Sequence, residues 1–171
     1  NPDLRDVIYA TSARLGNSVE FDTLWRMYQE TMSSDEKLSI ASAMTSFEIP
    51  ELHTRVLELI KAENIKFQDV PYWIAYSMSN RFSRQQTWEW VQTNWGWLKQ
   101  KMGSDLSFSR FPIYAARTFA DPVLLDQYKQ FFTGVMEPTI ERSYAQGLEM
   151  IETAVAWRLR DADNALTWFQ N

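Results

Sequence analysis

Cysteine is absent from the 171-residue chain, which excludes disulfides, thiolate catalysis and cysteine metal sites. Histidine occurs once, at His53, whereas a His-Glu-x-x-His zinc helix needs two imidazoles one turn apart, so the chain by itself cannot build that site. The five glycines, Gly16, Gly96, Gly103, Gly134 and Gly147, lie too far apart for a phosphate loop or a dinucleotide fingerprint. No Gly-x-Ser-x-Gly elbow is present, and Ser33, Ser34 and Ser109 read as caps and turns. No apolar run approaches the roughly 20 residues that span a bilayer.

Positive charge is also short. The net charge of -5 and a pI near 4.9 argue against a protein that tracks nucleic-acid phosphates. No Asn is followed by x-Ser/Thr, and with cysteine missing this predicts a reducing, cytoplasmic setting. The start, Asn1-Pro2-Asp3, has neither an initiator Met nor signal-peptide hydrophobicity, so the chain is expected to be a piece of a longer protein.

Aromatic residues, by contrast, are abundant. Trp88, Trp90, Trp95 and Trp97 fall in Trp88-Glu-Trp90-Val-Gln-Thr-Asn94-Trp95-Gly96-Trp97. On one helix, Trp88/Trp95 and Trp90/Trp97 form two stripes displaced by roughly 200°, so this helix is apolar on both sides. Such a helix is sandwiched between layers or packed on something outside the chain.

Apolar residues recur at three and four almost everywhere and alternation is missing, which predicts an all-α chain with one domain over residues 1–171. Leu4, Val7, Ile8, Thr11 and Leu15 form a first stripe, stopped by Gly16 as a left-handed cap. Phe21, Leu24, Trp25, Tyr28 and Met32 form a second. Ser33-Ser34-Asp35-Glu36 matches a capping box that opens a third helix, and Pro50 suits the first turn of a fourth carrying Leu52, Val56 and Leu59.

An aromatic segment over 70–78 and a break over 79–83 precede the tryptophan helix, expected to run to about Met102 and to end at Gly103-Ser104. A short helix is predicted over 108–117, then one starting at Asp121-Pro122. The longest stripe is Ile140, Tyr144, Leu148, Ile151, Val155 and Leu159, a helix of about twenty residues. A separate last helix carries Leu166, Trp168 and Phe169. Short connections make neighbouring helices antiparallel, giving irregular HEAT-like hairpins in an α-α superhelix, without a fixed-period repeat.

Few residues carry chemistry. His53 reads as a partly exposed structural residue, and the pairs Asp35/Glu36 and Glu149/Glu152 as solvated helix faces. Arg81, Arg84, Arg110 and Arg117 stand near aromatics, an arrangement that suits carboxylate recognition or pairing with the acidic excess.

Three ordered stretches resemble one family. Asn80, followed by Thr87-Trp88-Glu-Trp90-Val91-Gln-Thr-Asn94-Trp95, is similar to the Asn-Pro-x-Gly…Ala-Trp-x-Phe-Leu-x-x-Asn-Trp stretch in the C-terminal helical domain of M1-family zinc aminopeptidases. Gly103-Ser104, Phe119-Ala-Asp121 and Phe131-Phe132 resemble its Gly-Ser…Phe-Ser-Thr…Phe-Phe segment, and Val155-Ala-Trp157 with Leu166-Thr-Trp168-Phe169 its Ile-x-Trp…Ile-x-x-Trp-Leu finish. Phe21-Asp-Thr-Leu-Trp25-Arg-Met-Tyr28 and Glu36-Lys37…Ile40-Ala41-Ser-Ala43-Met44 extend the likeness toward the N-terminus. The chain departs from the pattern at Arg81-Phe82-Ser83, where the family has Pro-x-Gly, and at Thr87, where it has Ala.

The resemblance implies a noncatalytic domain that covers the active-site cavity of a separate zinc-bearing domain and supports substrate access and assembly. It implies that the parent removes N-terminal residues from peptides, with a metal-bound water as nucleophile. No catalytic or metal-binding residue is carried over, and substrate-binding residues are not assigned. The implied partners are the upstream catalytic domains and a peptide, with zinc in the parent; no nucleic acid or membrane is expected. The alternative is a stand-alone helical adaptor that binds a peptide or partner helix in a groove. Trp90 and Trp97, where the family pattern does not ask for tryptophan, are the candidates for an outside contact.

Overall fold

The structure, a computed structural model, describes residues 4–103 and 105–170. The start at residues 1–3 and Ser104 of the expected Gly103-Ser104 stop lie outside the described residues. Those residues contain ten α-helices, two short 3-10 turns and no strand, as the period of three to four predicts. None of the helices is long and apolar enough to cross a membrane.

Two compact units divide the chain, Asn1–Lys101 and Met102–Asn171. The first holds α1 (Arg5–Leu15), α2 (Ser18–Glu30), α3 (Ser34–Met44), α4 (Pro50–Leu59), α5 (Val70–Ser79), α6 (Arg84–Thr93) and most of α7 (Trp95–Met102). Helix α3 is central because it is small and apolar on several sides: Ile40, Ala41, Ala43 and Met44 are all buried, and α1, α2 and α5 pack on it. Around it, Tyr28 meets Trp73 edge-on with centroids 5.4 Å apart, and Phe21 meets Phe47 at 5.5 Å. Burying each such side chain is worth about 1.5–3 kcal/mol.

Local start signals hold with one revision. Pro50 occupies the first turn of α4. Ser33 accepts the Glu36 amide at 3.3 Å, but Glu36 does not return the bond. Its carboxylate takes the Tyr9 hydroxyl at 3.0 Å and the Thr31 hydroxyl at 2.5 Å instead, tying α1 to α3. These bonds, Thr31 first, hold the Glu36 carboxyl below its ordinary pKa. The complete capping box belongs to Asn17 and Glu20 at the start of α2.

Two readings of α1 are corrected. Its apolar line, Leu4, Val7, Ile8 and Leu15, is exposed, while Ala13 is the residue buried. Gly16 is extended, with φ −90° and ψ 178°, so it is no left-handed cap. Glycine is needed there because a Cβ would collide with the Ser12 carbonyl and the Glu20 side chain that closes the cap.

The second unit packs α8 (Phe111–Ala116) and α9 (Pro122–Gly134) on α10 (Pro138–Gln170). Asp121 caps α9 by accepting the Val123 amide at 2.9 Å, as its position before Pro122 predicts. Tyr128 stacks on Tyr144 at 5.5 Å with planes 9° apart. Gly147 faces the Tyr128 hydroxyl, and a Cβ there would run into it and come within 3.1 Å of the Pro112 carbonyl oxygen.

Helix α10 is continuous for 33 residues, so the separate last helix is corrected. The segment 158–166 contains neither Pro nor Gly, the Asp161 carboxylate accepts from Arg160, and the Thr167 hydroxyl donates to the Asp163 backbone carbonyl one turn back, so nothing there breaks the helix.

Candidate functional site

The turn after α5, residues 80–83, is held by side-chain hydrogen bonds. Asn80 ends α5, and its carboxamide nitrogen donates to the carbonyls of Phe47 at 2.8 Å and Thr45 at 3.0 Å. Its oxygen accepts the Phe82 amide at 3.0 Å, so every polar atom of the side chain is used. The Ser83 hydroxyl donates to the Ser77 carbonyl at 3.1 Å, and Arg84 Nε donates to the Met78 carbonyl at 3.3 Å. Asn80 thereby clips the α3–α4 connection to the α5–α6 connection.

Beside this clip a polar cleft of about 500 Å³ opens, lined among others by Arg14, Ser42, Glu48, Tyr76, Asn80 and Arg81. Arg81 also lies over the Phe82 ring, 4.5 Å from its centroid. Two exposed guanidiniums among hydroxyls suit a carboxylate, and Glu48 tempers the charge. Of the four arginines singled out in the sequence, only Arg81 lines this cleft. Arg84 is half-buried and occupied by Met78, while Arg110 and Arg117 belong to the second unit.

The tryptophan segment is two helices rather than one. The Asn94 carboxamide donates to the Trp90 carbonyl at 2.8 Å, and this residue interrupts the helical run between α6 and α7. Spacing across the break still sorts the rings as the stripes predict. Trp88 and Trp95 are buried. Trp90 and Trp97 are half-buried and meet edge to face at 6.2 Å. The Lys61 ammonium lies 5.7 Å from the Trp90 centroid and 5.5 Å from that of Trp97, and it donates to the Asn94 carboxamide oxygen. Part of the surface expected to await an outside partner is thus occupied by the chain's own cation. No sequence signal pointed to Lys61, which lies 33 residues from Asn94.

His53 is corrected from partly exposed to buried, at 1% exposure. Thr87 gives its hydroxyl proton to the Ser83 carbonyl at 2.9 Å, so the bond between Thr87 Oγ1 and His53 Nε2 at 3.5 Å has the imidazole as donor. His53 Nδ1 has no partner, and burial drives the pKa down to about 4. A neutral, enclosed imidazole with no carboxylate on it is not a general base for an incoming substrate.

Two further candidates are engaged within the chain. Glu152 pairs with Lys129 at 2.8 Å, and the Ser109 hydroxyl donates to the Leu106 carbonyl at 2.7 Å. Among the described residues no group of three or more His, Asp or Glu is placed to hold a metal ion.

The family model described as ERAP1-like C-terminal domain matches residues 1–153. Aminopeptidase N of Lactobacillus helveticus is 28% identical over 158 residues, covering 91% of this chain and 19% of that protein. Glutamyl aminopeptidase of Sus scrofa is 30% identical over 159 residues, 91% of this chain and 17% of its own length. The Saccharomyces cerevisiae protein named aminopeptidase 2, mitochondrial, is 24% identical over 161 residues, 94% of this chain and 17% of its own. The chain therefore spans under a fifth of the length of the curated relatives it matches.

Proposed function

This chain belongs to the ERAP1-like C-terminal domain family, and we propose that in the complete protein it is the noncatalytic helical domain of an M1-family zinc aminopeptidase. In that role it covers the catalytic cavity, limits which peptides enter and supports assembly. The observation that carries this reading is the match over residues 1–153 to a domain whose relatives bear aminopeptidase names.

The chemistry of the residues supports it. The one imidazole is buried and neutral, and the described carboxylates form no metal cluster, so these residues do not fit a zinc centre. Zinc and the groups that activate water would then be held by the upstream part of the polypeptide. The adaptor alternative is not favoured, because the likeness covers nine-tenths of the chain and runs to aminopeptidases.

The complete polypeptide is expected to release the chromophore from aminoacyl p-nitroanilides, to lose that turnover with a chelator and to regain it with zinc. The 171-residue chain alone is expected to show none. Absence of a His-Glu-x-x-His upstream, or zinc-independent turnover by the isolated chain, would overturn the reading.

A further inference from the structure

The polar cleft beside Asn80 is lined by two classes of group. One class is spent on holding the walls. The Thr45 and Ser46 hydroxyls donate to the Ser42 carbonyl at 2.9 and 2.8 Å, the Ser79 hydroxyl donates to the Ala75 carbonyl at 2.9 Å, and Asn80 binds both loops. The other class is left over. Within the described residues the Arg14 guanidinium, the Glu48 carboxylate and the Tyr76 hydroxyl form no hydrogen bond or ion pair, and Arg81 only lies over the ring of its neighbour Phe82.

Elsewhere the chain pairs such charges directly, Arg55 with Asp22 at 2.6 Å and Arg160 with Asp161 at 2.7 Å. Here two guanidiniums and a carboxylate line one cleft without closing on each other. Burial raises Tyr76 above its ordinary pKa, with Tyr72 and Asp6 adding to the effect, so its hydroxyl keeps a proton to donate. The cleft also lies at the C-terminal ends of α3 and α5, where the helix dipoles leave partial negative charge. A plain anion satisfies Arg14 and Arg81 but meets Glu48 and both helix ends with the wrong sign. A plain cation has the opposite fault, whereas a small zwitterion answers both.

We propose that this cleft binds a free α-amino acid, its carboxylate held by Arg14, Arg81 and the Tyr76 hydroxyl, its ammonium by Glu48 and the ends of α3 and α5, and its side chain set toward the Phe82 ring. The volume of about 500 Å³ falls within the roughly 300–1,000 Å³ of small-molecule sites. Phe82 is 48% exposed and free to receive an apolar side chain on the face away from Arg81. The C-terminus of a peptide is the poorer occupant, because its last nitrogen is a neutral amide and leaves Glu48 without a cation. The ligand is of the class that an aminopeptidase releases, yet the assignment uses only the cleft's own charges and stands apart from the enzyme reading.

Hydrogen exchange on the complete polypeptide tests it with three probes at millimolar concentration: L-leucine, L-leucinamide, which lacks the carboxylate, and N-acetyl-L-leucine, which lacks the ammonium. L-leucine is expected to slow exchange in peptides covering 42–49 and 76–84, and the other two are not. Arg14→Gln combined with Arg81→Gln is expected to raise the apparent Kd of that response roughly tenfold, and Glu48→Gln to bring N-acetyl-L-leucine level with L-leucine. All three side chains are exposed, so the variants are expected to melt with the wild type. Equal protection of the wild type by either single-charge probe would overturn the proposal, N-acetyl-L-leucine pointing instead to a peptide C-terminus. Protection by none of the probes, or protection indifferent to the arginine substitutions, would also overturn it. Chromogenic turnover by the same samples is read separately. Its absence removes the enzyme reading and leaves a leucine response standing, while turnover without that response removes the amino-acid site alone.

Discussion

Trp90 and Trp97 meet edge to face, with centroids 6.2 Å apart and planes inclined by 76°, although Asn94 separates their helices. Seven residues bring two side chains onto one stripe, and the single-residue interruption leaves that register intact. Lys61 then closes the pair from the loop after α4. The arrangement gives two tryptophans a polar cover in water.

Removing that cover is expected to cost little but measurably. Lys61→Ala should lower stability by about 0.5–1 kcal/mol, the worth of an exposed cation–π contact. A double-mutant cycle with Trp97→Leu, followed by urea unfolding, should return a coupling energy of similar size. A coupling of zero would mean that the ammonium merely rests near the rings.

Asn80 holds two loops at once, so its loss should be larger. Asn80→Ala leaves the Thr45 and Phe47 carbonyls without their donor and should destabilise the chain by about 1–3 kcal/mol. Asn80→Asp should be at least as damaging, because a carboxylate cannot donate to either oxygen. Thermal melts of both variants check the order.

Gly147 is a packing glycine within a helix, where alanine is ordinarily the better helix former by about 1 kcal/mol. Here the sign should reverse. Gly147→Ala drives a methyl against the Tyr128 hydroxyl and the Ala116 side chain, and overpacking of that kind costs about 1–3 kcal/mol. Gly134 meets nothing within 4 Å, so Gly134→Ala should be neutral or stabilising in the same denaturation experiment.

Burial depresses His53 to about 4 from an unfolded value near 6.5. Between these values the unfolded chain binds the proton and the folded chain does not, so stability is full above about pH 6.5 and falls as pH drops toward 4. The loss should approach about 3 kcal/mol in total. His53→Gln, which keeps a donor toward Thr87, should flatten this slope between pH 6.5 and 4.5 in pH-resolved urea titrations. An unchanged slope would assign the acid sensitivity to other groups.

Much of the chain's organisation was legible locally. The caps at Ser33 and Asp121 and the proline of α4 act within one turn, through bonds between a side chain and nearby amides, so they need no knowledge of the rest of the chain. Periodicity likewise put Trp88/Trp95 and Trp90/Trp97 on separate stripes, and the family likeness singled out Trp90 and Trp97, the pair that is half-buried. It misled at α1, whose apolar line looks inward on paper and faces away from α3 in the fold, and at α10, where Leu159 to Phe169 continue a core stripe past the packing that covers it.

By itself, the sequence determined an all-α chain without cysteine or zinc-helix chemistry, the starts of most of its helices and its likeness to one family. Tertiary structure decided the rest: which helix faces are covered, that His53 is enclosed, that Asn80 reaches 33 and 35 residues back to Phe47 and Thr45, and that Lys61 crosses to the tryptophans. The reason is the range of the forces involved. Helix initiation and termination are settled by groups a few residues apart, whereas burial, cation placement and steric need at Gly147 depend on neighbours that only folding brings into contact.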